Sequence, residues 1–405
     1  MARRRTLALL VPSALAAGLT FAALSGCGGA ETSGSGGSTS TGGGGTGGGG
    51  TGGVPAETTG CSADVKLVET PEDAAARGPW AVGAKTVTID TLTAEVWYPA
   101  EAGSDAGKTK VSYDMRSWLP ESEMGKIPDE AAPLQECGCY RDLPLDTAHG
   151  PYPVVIFIHG TAGFRTQSLA HMEHWASRGF VVIAADYPGL YLGDALNLNL
   201  ANDLPGDTDK IIAAISGASI TGDLAFLDGR VDPTHMGLSG HSAGGGGIKG
   251  FGATPGVRVL IPMAAGGADP SDTLESTLIL GGMNDQVVPF DNQSQGYVDS
   301  GPTKRLVGLD NTGHLFPTDL CWVTNKDGQN IVETAQMYGI KNANLANGLF
   351  DCPEGQLARE KARDIVNYTT AAALEEKLTC KAGTPFADIQ GRFADIAEFK
   401  EELKK

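Results

Sequence analysis

The chain has 405 residues, 41% of them hydrophobic and 19% charged, which fits one large globular domain or two small ones. Its formal net charge of −18 argues against nucleic-acid binding, which needs basic patches, and fits a soluble exported protein. Nothing in the composition implies a protein partner.

In chain order, Arg3, Arg4 and Arg5 precede the apolar run TLALLVPSALAAGLTFAAL and then LSGC, which ends at Cys27. A charged start, an apolar core and small residues before a cut site predict a signal peptide over residues 1–26. A cysteine directly after the small residues resembles the bacterial lipoprotein signal. That resemblance implies lipidation of Cys27 and a membrane anchor in the bacterial cell envelope, periplasmic or surface-exposed. Residues 28–53 are almost entirely Gly, Ser and Thr, which cannot bury apolar surface and predict a flexible tether. The lipidated cysteine and linker are read as 27–60 and the folded domain as 61–405. No other stretch is apolar for the roughly 20 residues of a spanning helix.

KTVTID and TAEVWYP read as two early strands, and residues 101–149, rich in Pro, Gly and charge, as an irregular insertion. YPVVIFIHG and FVVIAADYPG are continuous apolar runs ended by glycine, the pattern of strands buried on both faces of a parallel sheet. TQSLAHMEHWASRG between them has helical spacing, and a further helix falls within 207–228. MGLSG, VRVLIPMA, TLILGG and KRLVGL read as later strands, and REKARDIVNYTTAAALEEKL as a long helix. Strand and helix in alternation predict an α/β fold with a mostly parallel, doubly wound sheet, whose ligands gather at the carboxyl ends of the strands.

Beyond Cys27, six cysteines remain: Cys61, Cys137, Cys139, Cys321, Cys352 and Cys380. An even count in an exported body predicts three disulfides, in any of fifteen pairings. Cys137 and Cys139 are too close to pair comfortably, so each is expected to reach a different partner. The paired C-x-x-C spacing of zinc modules is missing. His171 and His174, three apart on one helix face, are the other metal candidates and read better as a solvated or partly buried helix face. No metal and no cofactor are expected.

Gly240-His241-Ser242-Ala243-Gly244 is G-x-S-x-G, weak alone but here preceded by a strand and followed by a glycine-rich stretch that can start a helix. A strand–turn–helix elbow holds its serine exposed, and the flanking glycines prevent clashes. Ser242 is therefore the candidate nucleophile. A hydroxyl needs a base, and histidine serves near neutral pH. Of seven histidines, His314 in LDNTGHLFP, after the last strand of the run, is the candidate. His159 ends a strand, His149 and His235 sit in irregular segments, and His241 is expected to point away from Ser242. Asp285, directly after TLILGG, is the acid that would orient His314. Asp269, Asp272, Asp291 and Asp310 are its rivals. Thr161, with Ala162 next, and Ala243 are the expected backbone N–H donors of an oxyanion hole.

GPWAVGAKTVTID, EVWYPA, PVVIFIHGTAG, HWASRGFVVIAADYPG, VDPTHMGLSGHSAGG and LILGGMNDQVVP resemble bacterial α/β-hydrolases of two related groups. One is the dienelactone-hydrolase-like and platelet-activating-factor-acetylhydrolase-like esterases; the other is the cutinase-like polyester hydrolases. The resemblance spans residues 70–317 without the insertion. It implies the α/β-hydrolase fold and an exported, lipid-anchored serine hydrolase that cleaves small-molecule carboxylic esters through Ser242, His314 and Asp285. The alternatives are a polyester hydrolase, a peptidase or a thioesterase on the same fold, or a catalytically silent binding lipoprotein. Dienelactone hydrolases use cysteine where this chain has Ser242. Thr161 stands where polyester hydrolases often carry an aromatic, and PMAAGGAD lacks their tryptophan. With Phe164, Leu315 and Phe316 as the candidate acyl wall, the expected substrates are short-chain soluble esters of about two to six acyl carbons. Within the Cys-containing C-terminal region 318–405, residues 318–380 match nothing by resemblance and are read as a partial lid or a brace.

Overall fold

The computed structural model describes residues 56–404. The expected signal peptide, Cys27 and almost all of the tether lie outside the described residues. The described residues form one compact unit. Among the described residues no helix is long and apolar enough to cross a membrane.

Ten strands build the main sheet: β1 Ala81–Ile89, β2 Leu92–Ala100, β3 Tyr140–Arg141, β4 Tyr152–Ile158, β5 Val181–Ala185, β6 Val231–His241, β7 Val257–Met263, β8 Ser276–Gly282, β9 Lys304–Leu309 and β10 Ile396–Glu402. Their spatial order is β10-β9-β8-β7-β6-β4-β5-β2-β1-β3. The six strands from β9 to β5 run parallel, and β2 and β10 join them antiparallel. Every residue of β4, β5 and β8 is buried, as continuous apolar runs covered on both faces should be. The expected mostly parallel, doubly wound architecture is the one the chain adopts. The sequence β4, β5, β6 folds so that β4 lies between the other two, and there the carboxyl ends open a crevice.

Helices α1 Leu169–Ser177, α2 Leu204–Ser216, α3 Ala243–Gly247, α4 Phe290–Asp299, α5 Ile331–Met337 and α6 Arg359–Leu374 cover the faces. Helix α6 buries Ala362, Ile365, Val366, Thr369, Ala372 and Ala373 at three- and four-residue spacing. It packs on α1, where Trp175 Nε1 donates to Thr370 Oγ1 at 2.8 Å and His171 Nδ1 meets Asn367 Oδ1 at 2.7 Å. The neighbouring His174 Nε2 donates to the carbonyl of Ala74, and burial pushes its pKa down to about 3. Both histidines are thus neutral packing groups, each occupied by a different neighbour. Below them Arg178, fully buried, holds Glu375 at 2.5 Å. Losing one partner of such a pair strands a buried charge, at a cost of about 3–5 kcal/mol.

The insertion is more ordered than its composition predicts. Ser112–Asp114 pairs antiparallel with Leu134–Glu136, and β3 joins the edge of the main sheet beside β1. Three short helical turns lie between the ribbon strands, at 115–118, 121–124 and 129–131.

The disulfides are Cys61–Cys380, Cys137–Cys139 and Cys321–Cys352. The expectation that Cys137 and Cys139 reach different partners is therefore wrong. An extended chain would hold two such residues about 6.6 Å apart. Here the chain curls around Val111, whose carbonyl accepts from Cys137 N and whose N–H donates to Cys139 O. The Cα atoms close to 5.0 Å, well inside the range a disulfide spans. Non-reducing peptide mapping of a residues 54–405 protein is expected to find these three linkages and no free thiol. A peptide joining Cys137 to Cys61, Cys321, Cys352 or Cys380 would contradict the arrangement.

Candidate active site

Ser242 sits at the end of β6, in the crevice beside β4. Its backbone has φ 54° and ψ −119°, a region costing about 1–3 kcal/mol for a residue with a side chain. Two neighbours make this turn possible. A Cβ on Gly240 would meet the carbonyl of Gly244 at 2.5 Å, and one on Gly244 would meet the carbonyl of Ile158 at 2.2 Å. The turn is pinned by Ser242 N donating to Met263 O and by Gly246 N donating to Ser242 O, both at 2.9 Å. Gly246 is different: a Cβ there has nothing within 4 Å.

The loop after β9 brings His314 over this serine. Ser242 Oγ lies 2.9 Å from His314 Nε2, and His314 Nδ1 lies 2.9 Å from Asp285 Oδ2. Asp285, just past β8, is oriented in turn. Its Oδ1 accepts from Val287 N and Val288 N at 2.9 and 2.7 Å, and its Oδ2 from Gln293 Nε2 at 3.1 Å. With the carboxylate as acceptor, His314 carries its proton on Nδ1 and offers the Nε2 lone pair to the serine hydroxyl. The rival aspartates stand elsewhere: Asp269 pairs with Lys249 and Asp310 accepts from the backbone of Asn311.

Thr161 lies across the crevice in the loop after β4, and its N–H is not taken by the backbone of the described residues. Ala243 is the first residue of α3, so its N–H has no intrahelical acceptor. Ala162, the second candidate on the loop, is ruled out as a donor because its N–H goes to Leu190 O at 2.8 Å.

His241 does not simply point away. It is buried against His314, ring centroids 4.7 Å apart, and its Nε2 donates to the His314 carbonyl at 2.9 Å. Its Nδ1 accepts from Gln167 Nε2 at 2.7 Å, and Gln167 Oε1 accepts from Gly160 N at 3.2 Å. Burial, then the nearby His314, hold its pKa well below the ordinary histidine value, so it stays neutral. The opposite side of the His314 peptide is held too. Asp351 Oδ2 accepts from His314 N at 2.8 Å and from Gln286 N at 2.9 Å, joining the His314 loop to the Asp285 loop. Asp351 precedes Cys352, whose disulfide to Cys321 closes the same segment. None of His241, Gln167 and Asp351 is assigned a role by motif or strand order. The signals within the sequence are the place of His241 beside Ser242 and the proximity of Gln167 to the HGTAG loop.

His159, at the end of β4, is also fully buried, and burial lowers its pKa. Its Nε2 accepts from Tyr187 N, so Nδ1 carries the proton and donates to Gly160 O. It fixes the Thr161 loop rather than facing Ser242. Among the described residues, no three His, Cys, Asp or Glu are grouped to hold a metal ion.

The pocket around Ser242, Thr161 and His314 is walled by more than the three residues the sequence offers. Phe164 and Leu315 line it, whereas Phe316 is in the core. Leu119 and Ile127 come from the insertion, and Ile331, Val332, Leu349 and Phe350 from the segment after Cys321. Trp322 packs against the core instead of lining the pocket.

Comparison with known proteins matches two family models. The one described as PET hydrolase-like covers residues 142–328, and platelet-activating factor acetylhydrolase, isoform II, covers residues 69–188. Cutinase est1 of Thermobifida alba is 27% identical over 181 residues, 43% of this chain and 56% of that protein. Bis(hydroxyethyl) terephthalate hydrolase of Streptomyces coelicolor is 25% identical over 181 residues, 43% of this chain and 54% of that protein. The chain thus spans just over half the length of these curated relatives. A solved structure of a ferulic acid esterase from Streptomyces cinnamoneus aligns over 77% of this chain and 94% of its own, with a TM-score of 0.48 and 16% identity.

The glycine run predicts two opposite outcomes. Gly244→Ala is expected to destabilise the protein by about 3 kcal/mol or more, because backbone rather than a movable side chain opposes the methyl. Gly246→Ala is expected to be neutral or to stabilise by up to about 1 kcal/mol. Denaturant unfolding of both variants checks this; equal effects would contradict it.

Proposed function

We propose that this chain, an α/β-hydrolase in fold with likeness to PET-hydrolase-like and platelet-activating-factor-acetylhydrolase families, is a serine hydrolase of carboxylic esters. The observation that carries the reading is the unbroken hydrogen-bond chain from Ser242 Oγ through His314 to Asp285. Support also comes from the PET hydrolase-like match, which contains all three residues.

The chemistry follows from the geometry. Ser242 Oγ attacks the ester carbonyl carbon while its proton passes to His314 Nε2. Asp285 stabilises the resulting imidazolium and holds its orientation. The N–H groups of Thr161 and Ala243 donate to the developing oxyanion. Collapse expels the alcohol, which takes the proton from His314 and leaves an acyl-serine. Water then attacks the acyl carbon, gives its proton to His314, and the acid departs as Ser242 recovers its hydrogen. His241 and Asp351 position the His314 loop from either side and touch no reacting atom.

The N-terminal reading belongs to the same proposal. A signal peptide over 1–26 is removed, Cys27 is lipidated, and a Gly/Ser/Thr tether carries the body in the cell envelope. LSGC and the disulfide-bonded body support it, and two acyl chains are enough for stable anchoring.

Ser242→Ala and His314→Ala are expected to lower kcat on a soluble ester by roughly 10⁴–10⁶, and Asp285→Asn by about 10⁴. Asp291→Asn and Asp310→Asn should stay near the parent. Asp351→Ala is expected to lower kcat by about tenfold to a hundredfold with KM little changed, since it disturbs alignment and not binding. Steady-state kinetics of the set checks this; an Asp310→Asn loss as deep as that of Asp285→Asn would replace the acid. For the anchor, mass spectrometry of protein made in a bacterial host is expected to find a lipidated N-terminus at Cys27. An intact Met1 or a cut elsewhere would refute it.

A further inference from the structure

The pocket beside Ser242 is roofed by two segments: the ribbon of the insertion and residues 318–357. The roof is fastened at several points. Gln135 of the ribbon donates to Asp319 Oδ2 at 3.1 Å, Glu123 accepts from Lys341 N at 2.7 Å, and Asn342 donates to Leu196 O at 2.8 Å. Asn330 and Glu333 cap α5 reciprocally, and Cys321–Cys352 closes the segment. Roof and ribbon share an apolar cluster of their own, separate from the two main cores, with Leu119, Ile127, Leu196, Ile340 and Ala343 at its centre.

Between this cluster and the sheet lies a pocket whose lining is mostly apolar. Its polarity is graded. Thr161, Gln167, His241, Ser242 and His314 stand together at the reacting end, while Leu119, Ile127, Leu196, Ala335 and Ala343 belong to the roof cluster beyond. The one cationic side chain in the lining, Arg116, is already committed to Asp114, Asp129 and the carbonyl of Ile127. Nothing charged is left over to recognise a phosphate or carboxylate deep in the pocket.

We propose that the roofed pocket binds a hydrocarbon acyl chain, so that the substrate class is medium- to long-chain acyl esters of small alcohols, with the roof excluding polymer strands. This rests on the serine-esterase reading and replaces the short-chain expectation, which counted only Phe164, Leu315 and Phe316. The acyl carbon sits at Ser242 and the chain runs toward Ala335. Each methylene withdrawn from water there is worth up to about fourfold in binding.

The test is a series of p-nitrophenyl butanoate, octanoate and dodecanoate with the residues 54–405 protein, beside benzoate ester and polyester film. From butanoate to octanoate kcat/KM is expected to rise at least about tenfold, mainly through KM. Ala335→Phe, which fills the far end, is expected to invert that order, while Met337→Phe on the exposed outer side of the same helix leaves it intact. A maximum at butanoate, faster benzoate turnover, film hydrolysis matching ester hydrolysis, or the same profile for both variants would overturn the proposal. Binding of methyl dodecanoate to the Ser242→Ala protein, measured by thermal shift with and without Ala335→Phe, reads the pocket without turnover. Binding that Ala335→Phe abolishes, with no ester hydrolysed by the parent, would keep the pocket and sink the esterase reading. Turnover without chain-length preference would do the reverse.

Discussion

A serine held at positive φ between two parallel strands is the constraint on which the site depends. The strain at Ser242 lifts its hydroxyl clear of the sheet and leaves the N–H of Ala243 unengaged at the start of a helix. It is possible only because Gly240 and Gly244 let strand and helix backbones touch. Once the hydroxyl is fixed at the end of β6, the loops after β8 and β9 fall within reach of it, because their strands lie on the same side of β6 in the sheet. The dense glycine run is thus two different things: Gly240, Gly244 and Gly245 are sterically required where strand and helix touch, whereas Gly246 faces open space.

Fixing Ser242 does not fix His314. A histidine on a loop would drift by more than a hydrogen bond tolerates unless its backbone were held. Here both polar groups of the His314 peptide are engaged, the carbonyl by His241 and the N–H by Asp351. The His241 contact continues through Gln167 to Gly160, so the Thr161 loop and the His314 loop are parts of one buried hydrogen-bond network. Such networks are costly to leave half-satisfied, which makes the arrangement rigid. Asp351 adds the Asp285 loop through Gln286 and arrives on the segment that also roofs the pocket. Alignment and roof therefore share one piece of chain.

The strands, and the meeting of Ser242, Asp285 and His314 at one end of the sheet, were legible in the sequence for a physical reason. Each of these candidate residues lies within a few residues of the end of an apolar strand, and position after a parallel strand is position at the crevice. The pairing of Cys137 with Cys139 was not legible, since it depends on a curl around Val111 that composition does not encode. Nor was the roof: Gln135 and Asp319 meet across 184 residues of chain, and polar, Pro-rich segments carry no periodicity that predicts such a contact. Ala162 failed as a donor for the same kind of reason, because its N–H is spent on Leu190, on a different loop. Adjacency to a motif places a residue near a site; only the tertiary partners decide what its atoms are free to do.

The most direct measurement of the central claim is covalent trapping. The residues 54–405 protein is treated with a fluorophosphonate, digested, and the adduct located by tandem mass spectrometry. The account predicts stoichiometric modification of Ser242 alone, slowed strongly by His314→Ala and absent in Ser242→Ala. No adduct on the folded protein, or an adduct on another serine, would contradict it.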